Sequence, residues 1–296
     1  MVGAEASPTL LTLLRSGNTA ISWPPGAGTA FGAGATLQAE VDVYVACSTM
    51  CFARHPLANA LRLINELEFN KVDVAITENG PHLRPSEVLA DAGLAAQRIR
   101  IGPSLSPAAI RAEIETPDER QFEQSLRALC HLARLSHVAV ITIPPASSTA
   151  EMEKEVQRLR ELVRLTESEG VLLAVETRMG MVTEYPDAAV ELCRRIPGLG
   201  LTLDPSHYIA GPHQGKNFDQ VFPYVCHVHL RDTGRDPNQF QVRVGQGEVE
   251  YGRIITQLMR HQYNRLLTVD IRDIPDAPYS MEQEVRKLKY LLESLV

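Results

Sequence analysis

From Val41 onward, short runs of β-branched and apolar residues alternate with longer stretches in which apolar residues recur every three or four positions. The short runs read as strands and the longer stretches as amphipathic helices. Strands are expected at residues 41–46, 71–77, 98–101, 138–143, 171–175, 200–203, 225–230 and 266–271. Helical spacing joins Leu57, Leu61, Ile64 and Leu67, then Phe122, Leu126, Leu129 and Leu132, and near the end Met281, Val285, Leu288, Leu291 and Leu295. The helix after the sixth strand is weakly marked. Strands made of continuous Val, Ile and Leu suit a parallel sheet covered on both faces.

Eight such units in about 250 residues match a closed (β/α)8 TIM barrel, with an open doubly wound sheet as the alternative. The barrel is favoured because the late strands all end in polar residues. The chain has 296 residues, and its first forty are low in charge and rich in glycine and alanine. Residues 1–40 are read as a flexible N-terminal arm and residues 41–296 as a single barrel domain, with no internal repeat or second linker. Gly26 and Gly28 suggest a dinucleotide fingerprint, but Phe31 stands where the third glycine is needed and no strand leads into the run.

Composition narrows the function classes. Hydrophobic residues at 44% and charged residues at 22% describe a protein with a real core. A formal net charge of -7 argues against nucleic acid as a partner, since a phosphate-backbone binder needs a basic face. No apolar run is long enough to span a membrane, and no leader segment is recognised. Five scattered cysteines do not make a disulfide framework, so a reducing cytoplasm is the expected location.

In a barrel of this kind, functional groups gather at the C-terminal ends of the strands. Those ends read Val175-Glu176-Thr177-Arg178, Leu203-Asp204-Pro205-Ser206-His207, His227-Val228-His229-Leu230-Arg231-Asp232 and Val269-Asp270-Ile271-Arg272-Asp273. Glu176, Asp204, His229 and Asp270 supply three carboxylates and one imidazole from four consecutive strands, a donor set suited to Mn²⁺, Mg²⁺, Co²⁺ or Zn²⁺. Three carboxylates crowded at low dielectric repel one another, and a bound dication is the cheapest remedy. Singly, each carboxylate could do no more than cap the helix that follows. His227 and His229 point to the same side of their strand, and alternation leaves open which of them is the ligand. His207, Arg178, Arg231 and Arg235 stand near the same mouth, and Gly245-Gln246-Gly247-Glu248 forms either a turn close to a ligand or a plain turn.

The D-x-x-H and H-x-H-x-[KR]-D motifs, with Glu176-Thr177-Arg178 and Gly245-Gln246-Gly247-Glu248, resemble the xylose isomerase-like TIM-barrel superfamily. Its members include sugar isomerases, epimerases, inosose-processing enzymes and apurinic endonucleases. The likeness extends to Cys47-Ser48-Thr49 in the first unit and to Pro117-Asp118-Glu119-Arg120 at a helix start. It implies metal ligation by Glu176, Asp204, His229 and Asp270, acid/base roles for Glu176 and Asp270, and substrate contacts for His207 and Arg235. The family carries glutamate where Asp270 stands, so this side chain is one methylene shorter. The implied reaction is metal-assisted isomerisation or epimerisation of a sugar-like ketone through an enediolate. An inosose-type dehydratase or lyase, or a non-catalytic sugar-binding barrel, are the alternatives. The endonuclease branch fits an acidic chain less well. The expected partner is a small carbohydrate, and a homo-oligomer is compatible with the sequence.

Overall fold

The computed structural model describes residues 43–296, apart from residues 101, 103 and 276. Eight strands close into a barrel in chain order: β1 (Tyr44–Ser48), β2 (Lys71–Thr77), β3 (Ser106–Glu113), β4 (Val140–Ile143), β5 (Leu172–Glu176), β6 (Gly200–Leu203), β7 (Val225–Leu230) and β8 (Leu266–Val269). Every neighbouring pair is parallel, including β8 with β1, where Tyr44 to Cys47 align with Leu266 to Val269. The (β/α)8 barrel expected from the chain pattern is the fold. The arm expected over residues 1–40 lies outside the described residues.

Around the sheet run α1 (Leu57–Glu66), α2 (Pro85–Ala90), α3 (Ala92–Arg98), α4 (Glu119–Leu135), α5 (Met152–Ser168), α6 (Pro186–Arg195), α7 (Pro205–Ala210), α8 (Tyr251–Arg260) and α9 (Met281–Glu293). Their starts follow from local chemistry. Asp118 caps α4 by accepting the Arg120 N–H at 2.9 Å, which frees that strand-to-helix loop from an unsatisfied donor. The stripe on α9 buries Met281, Val285, Leu288 and Leu292 against the barrel. Each such side chain contributes roughly 1.5–3 kcal/mol of transfer free energy, so this helix is held by packing more than by propensity. The weakly marked element after β6 is the six-residue α7, followed by a 3₁₀ turn at Asp219–Tyr224.

One expected strand is misplaced. Residues 98–100 of the strand expected at 98–101 are not a strand, and residue 101 lies outside the described residues: Arg98 ends α3, which Asp91 starts by accepting the Leu94 N–H at 2.9 Å. The third strand is β3, whose Ser-Pro-Ala-Ala-Ile-Arg-Ala-Glu sequence is poor in β-branched residues and carries a proline. Its place in the barrel comes from pairing with β2 and β4 rather than from its own propensity.

Within the strands, period two separates two environments. Val72, Val74 and Ile76 of β2, Ile141 and Ile143 of β4, Leu201 and Leu203 of β6, and Leu267 and Val269 of β8 join the core under the helices. The residues between them are polar: Asp73, Thr142, Thr202 and Thr268, with Arg111 on β3 and His227 and His229 on β7. These side chains bond across the interior, as Thr142 Oγ1 does with Thr202 Oγ1 at 2.7 Å. The barrel therefore has an apolar jacket and a bore that is polar toward the mouth, with Ala109, Val140 and Ala174 forming a small apolar layer deeper in. All five cysteines are free and buried.

Candidate active site

Glu176, Asp204, His229 and Asp270 lie at one mouth, and all four are buried. Glu176 is the last residue of β5, Asp204 follows β6, His229 sits one residue inside the end of β7, and Asp270 follows β8. Asp204 performs the capping role and more. Its Oδ1 accepts the Ser206 N–H at 3.0 Å and the Ser206 hydroxyl, while Oδ2 faces inward.

Arginines stand among these carboxylates. Arg111, reaching across from β3, donates through Nε to Glu176 Oε1, and through Nη2 to Glu176 Oε2 at 3.5 Å and Glu113 Oε1 at 3.0 Å. Arg178 Nη1 donates to Glu113 Oε1 at 2.9 Å and to Glu176 Oε2 at 3.4 Å. On the other side, Arg231 Nη2 bridges Asp204 Oδ2 at 2.5 Å and Asp270 Oδ2 at 3.0 Å, and Arg272 lies 3.4 Å from the same Asp270 oxygen. Phe240 covers this side, its ring 5.0 Å from the Arg231 guanidinium and 4.6 Å from the His207 ring.

The charges follow from these contacts. Burial alone would raise the Glu176 carboxyl, but the adjacent Arg111 charge and hydrogen bond outweigh it and bring the pKa down to about 2. Asp270 is likewise opposed by burial and is held far below the usual carboxylate range by Arg272 and Arg231. Asp204 is lowered in the same way, with Arg231 overcoming its burial. Arg111 is raised despite burial because Glu176 and Asp270 both act on it. Glu176, Asp204 and Asp270 are thus held in their ionised forms.

Behind it, Asp73 Oδ2 lies 2.8 Å from Nε2 of both His227 and His229. Burial opposes ionisation of Asp73, yet the two imidazoles keep it well below its ordinary value. His229 is raised because Asp73, Asp270 and Glu176 together overcome its burial, whereas burial prevails at the deeper His227 and lowers it. With Nε2 of each ring turned to Asp73, Nδ1 is the nitrogen left on either histidine. His227 Nδ1 is buried without a partner.

The two residues expected to touch substrate are placed differently. His207, on α7, accepts the Met179 N–H at Nδ1 over 3.3 Å and sets Nε2 3.7 Å from Asp204 Oδ2. Burial pushes its pKa down to about 4, so the ring is neutral near pH 7. Arg235 is outside the bore. Its side chain is 77% exposed, pairs with Glu248 at 3.0 Å and borders a cavity of about 380 Å³ that Lys216 and Arg253 also line. Asp232, from the H-x-H-x-[KR]-D motif, accepts the N–H groups of Thr233, Gly245 and Gly247 at 3.0, 2.7 and 3.0 Å. A Cβ on Gly247 would come within 2.2 Å of Asp232 Oδ1. The two glycines therefore serve a turn wrapped on Asp232 rather than a ligand.

The family model for the xylose isomerase-like TIM barrel matches residues 61–291. The chain belongs to this family. No curated protein sequence matches it significantly. Among solved structures, it is similar to a xylose isomerase-like TIM barrel protein from Mycobacterium smegmatis in complex with magnesium, at 16% identity and a TM-score of 0.67, covering 86% of this chain and 98% of that one. It is also similar to the IOLI protein with a bound zinc atom, at 17% identity and a TM-score of 0.67, covering 85% and 98%. A third similar structure is 3-keto-D-glucoside 4-epimerase, YcjR, from E. coli, at 14% identity and a TM-score of 0.63, covering 86% and 100%. At these identities the likeness is one of fold.

A xylose isomerase-like barrel implies a divalent ion at Glu176, Asp204, His229 and Asp270, and the side chains as arranged do not fit one there. Among the described residues, the only group of three or more His, Cys, Asp or Glu with ligand atoms all within 4.8 Å of one another is Asp73, His227 and His229. In the mouth, guanidinium groups hold the carboxylate oxygens that would bind the ion. The charge argument for a dication is corrected accordingly: the carboxylates of Glu113, Glu176, Asp204 and Asp270 are matched by the guanidiniums of Arg111, Arg178, Arg231 and Arg272. A dication about 4 Å from one of these arginines would add roughly 8 kcal/mol of repulsion at an effective dielectric of about 20. The inner Asp73, His227 and His229 group offers nitrogen and oxygen donors of the kind zinc accepts, and shared protons satisfy it equally.

Two residues of this mouth and bore escape the pattern of the sequence. Arg111 lies on the strand that was misplaced. Asp73 lies in a run otherwise read as core, and its signal was a lone carboxylate between Val72 and Val74, which needs a buried partner.

Proposed function

We propose that this chain is a sugar isomerase or epimerase acting on an uncharged polyhydroxy ketone at the barrel mouth. The observation that carries the reading is a pair of buried carboxylates in one mouth, Glu176 held by the Arg111 guanidinium and Asp270 held by Arg231 and Arg272. Proton transfer next to a ketone needs a carboxylate base, a donor for the oxygen that gains charge and a second group to return the proton. In this scheme Glu176 takes the proton from the carbon beside the carbonyl, the electron pair of that C–H bond forms the C=C bond of an enediolate, and the carbonyl π pair moves to the oxygen. Returning the proton to the former carbonyl carbon, with the adjacent hydroxyl proton passing to the former carbonyl oxygen, isomerises the substrate. Delivering a solvent proton through Asp270 to the other face, while Glu176 gives its proton back to solvent, epimerises it.

Two further observations support a hydroxylated and neutral substrate. Asp270 Oδ1 and Arg231 Nε are buried in the mouth without partners, one an acceptor and the other a donor. A hydroxyl group satisfies both. The matched carboxylates and guanidiniums also leave no surplus positive charge for a phosphate. His207, neutral and beside Asp204, supplies a further hydrogen bond to the substrate, and Arg235 contacts it only at the outer rim.

The test is solvent exchange in D₂O with a panel of ketoses and inososes. Deuterium is expected at the carbon beside the carbonyl of a substrate, and Glu176→Gln is expected to abolish it. Undiminished exchange in that variant removes Glu176 as the base. No exchange with any member of the panel, with the wild-type chain folded, favours a sugar-binding barrel instead.

A further inference from the structure

We infer that guanidinium groups take the place of a divalent ion at this barrel mouth: Arg231 bridges Asp204 and Asp270, and Arg111 is the fixed positive charge that holds Glu176 and the hydrogen-bond donor to the substrate oxygen. The inference rests on the proposed ketone chemistry for its catalytic half only. Arg111 projects into the bore from β3 and is almost wholly shielded from water. Such a cation cannot relax into solvent, so it leaves Glu176 only by exchanging one buried acceptor for another.

The geometry gives the exchange a direction. The planar fork of Arg111 meets both oxygens of Glu176 and one of Glu113, while the charge of Asp270 acts on it as well. A ketone oxygen entering beside Glu176 meets the same N–H donors. As the C–H bond breaks, its electron pair forms the C=C bond and the carbonyl π pair moves onto that oxygen, so the donors shift toward the new negative charge and away from Glu176, which is simultaneously taking up the proton. One guanidinium thus stabilises the base before reaction and the oxyanion after it, without a change in the net charge of the mouth. On the opposite side, Asp270 is drawn to Arg231 and Arg272 rather than toward a shared ion, and its short side chain keeps Oδ1 unpartnered.

The experiment is a calorimetric titration of Mn²⁺ into the full-length chain after treatment with a chelator, with bound metal counted independently by elemental analysis. The wild-type chain is expected to show no uptake that depends on Asp204. Arg111→Met combined with Arg231→Met, which removes both charges and keeps much of the volume, is expected to gain one equivalent, lost again when Asp204→Asn is added. A wild-type chain that takes up one equivalent of Mn²⁺, abolished by Asp204→Asn, overturns the inference. A folded double variant that takes up none overturns it too. If that variant does not fold, the wild-type titration alone decides. Absence of isotope exchange with every ketose would sink the proposed reaction but leave the metal titration to judge Arg111 independently. Where exchange is found, it should persist in excess chelator, and millimolar guanidinium should restore it to Arg111→Ala.

Discussion

Arg111 and Glu176 meet across the barrel interior, 65 residues apart in the chain, with the guanidinium Nε donating to Oε1 of the carboxylate and both side chains shielded from water. Neither is stable alone in that place. Removing one partner of a buried pair leaves an uncompensated charge and costs about 3–5 kcal/mol, whereas removing both charges is far milder. Arg111→Met should therefore lower the stability measured by urea unfolding by about that amount, and adding Glu176→Gln should recover much of the loss. Additive effects of the two substitutions would mean that the pair is not coupled.

Asp270 marks the second side of the mouth. It is completely buried and already contacts Arg231 and Arg272. Asp270→Glu adds one methylene at a completely buried, ion-paired position, at a cost of about 1–3 kcal/mol. The substitution is expected to lower the melting temperature; an unchanged or higher value would show room behind Asp270 that the packing denies.

Acid should act through His207 before it reaches the carboxylates. Burial lowers its pKa from 6.5 to about 4, so below pH 6.5 the unfolded chain takes up a proton that the folded chain does not. Its contribution is intact above about pH 6.5 and is lost as the pH falls toward 4, a change on the order of 3 kcal/mol. Glu176, held at about 2, adds a further loss from the ordinary carboxylate range downward. Melting curves of the wild type should fall more steeply between pH 6.5 and 4 than those of His207→Gln. Parallel curves would contradict this assignment.

Gly247 tests the turn on Asp232. An alanine there brings its Cβ within 2.2 Å of Asp232 Oδ1 and 2.5 Å of the Thr233 carbonyl oxygen, so the loop must give up part of its hydrogen-bond set. The expected cost is about 1–3 kcal/mol for the polar groups left unmatched. Faster amide hydrogen exchange at Gly245 and Gly247 would report it, and protection equal to the wild type would show that the turn tolerates a side chain.

Local pattern carried the architecture. The bounds expected for the second, sixth and seventh strands coincide with Lys71–Thr77, Gly200–Leu203 and Val225–Leu230, because apolar period and flanking helices act between neighbours in the chain. The third strand escaped because Ser106–Glu113 has little strand propensity of its own and is made a strand by β2 and β4. Asp204 could be read as a cap or as a site residue; its two oxygens divide those roles, a distinction that needs Arg231 in place.

Residue order alone was enough to put Glu176, Asp204, His229 and Asp270 at one mouth, since strands that alternate with helices in one hand deliver their ends to the same face. Which charges those residues meet was settled by closure of the sheet. Asp73 reaches His229 across 156 residues and Arg111 reaches Glu176 across 65, contacts set by strand tilt and register around the barrel rather than by any spacing along the chain. A carboxylate cluster awaiting a cation and one already matched by arginines look alike in sequence, because the difference lies in through-space distances that exist only after the bore has formed.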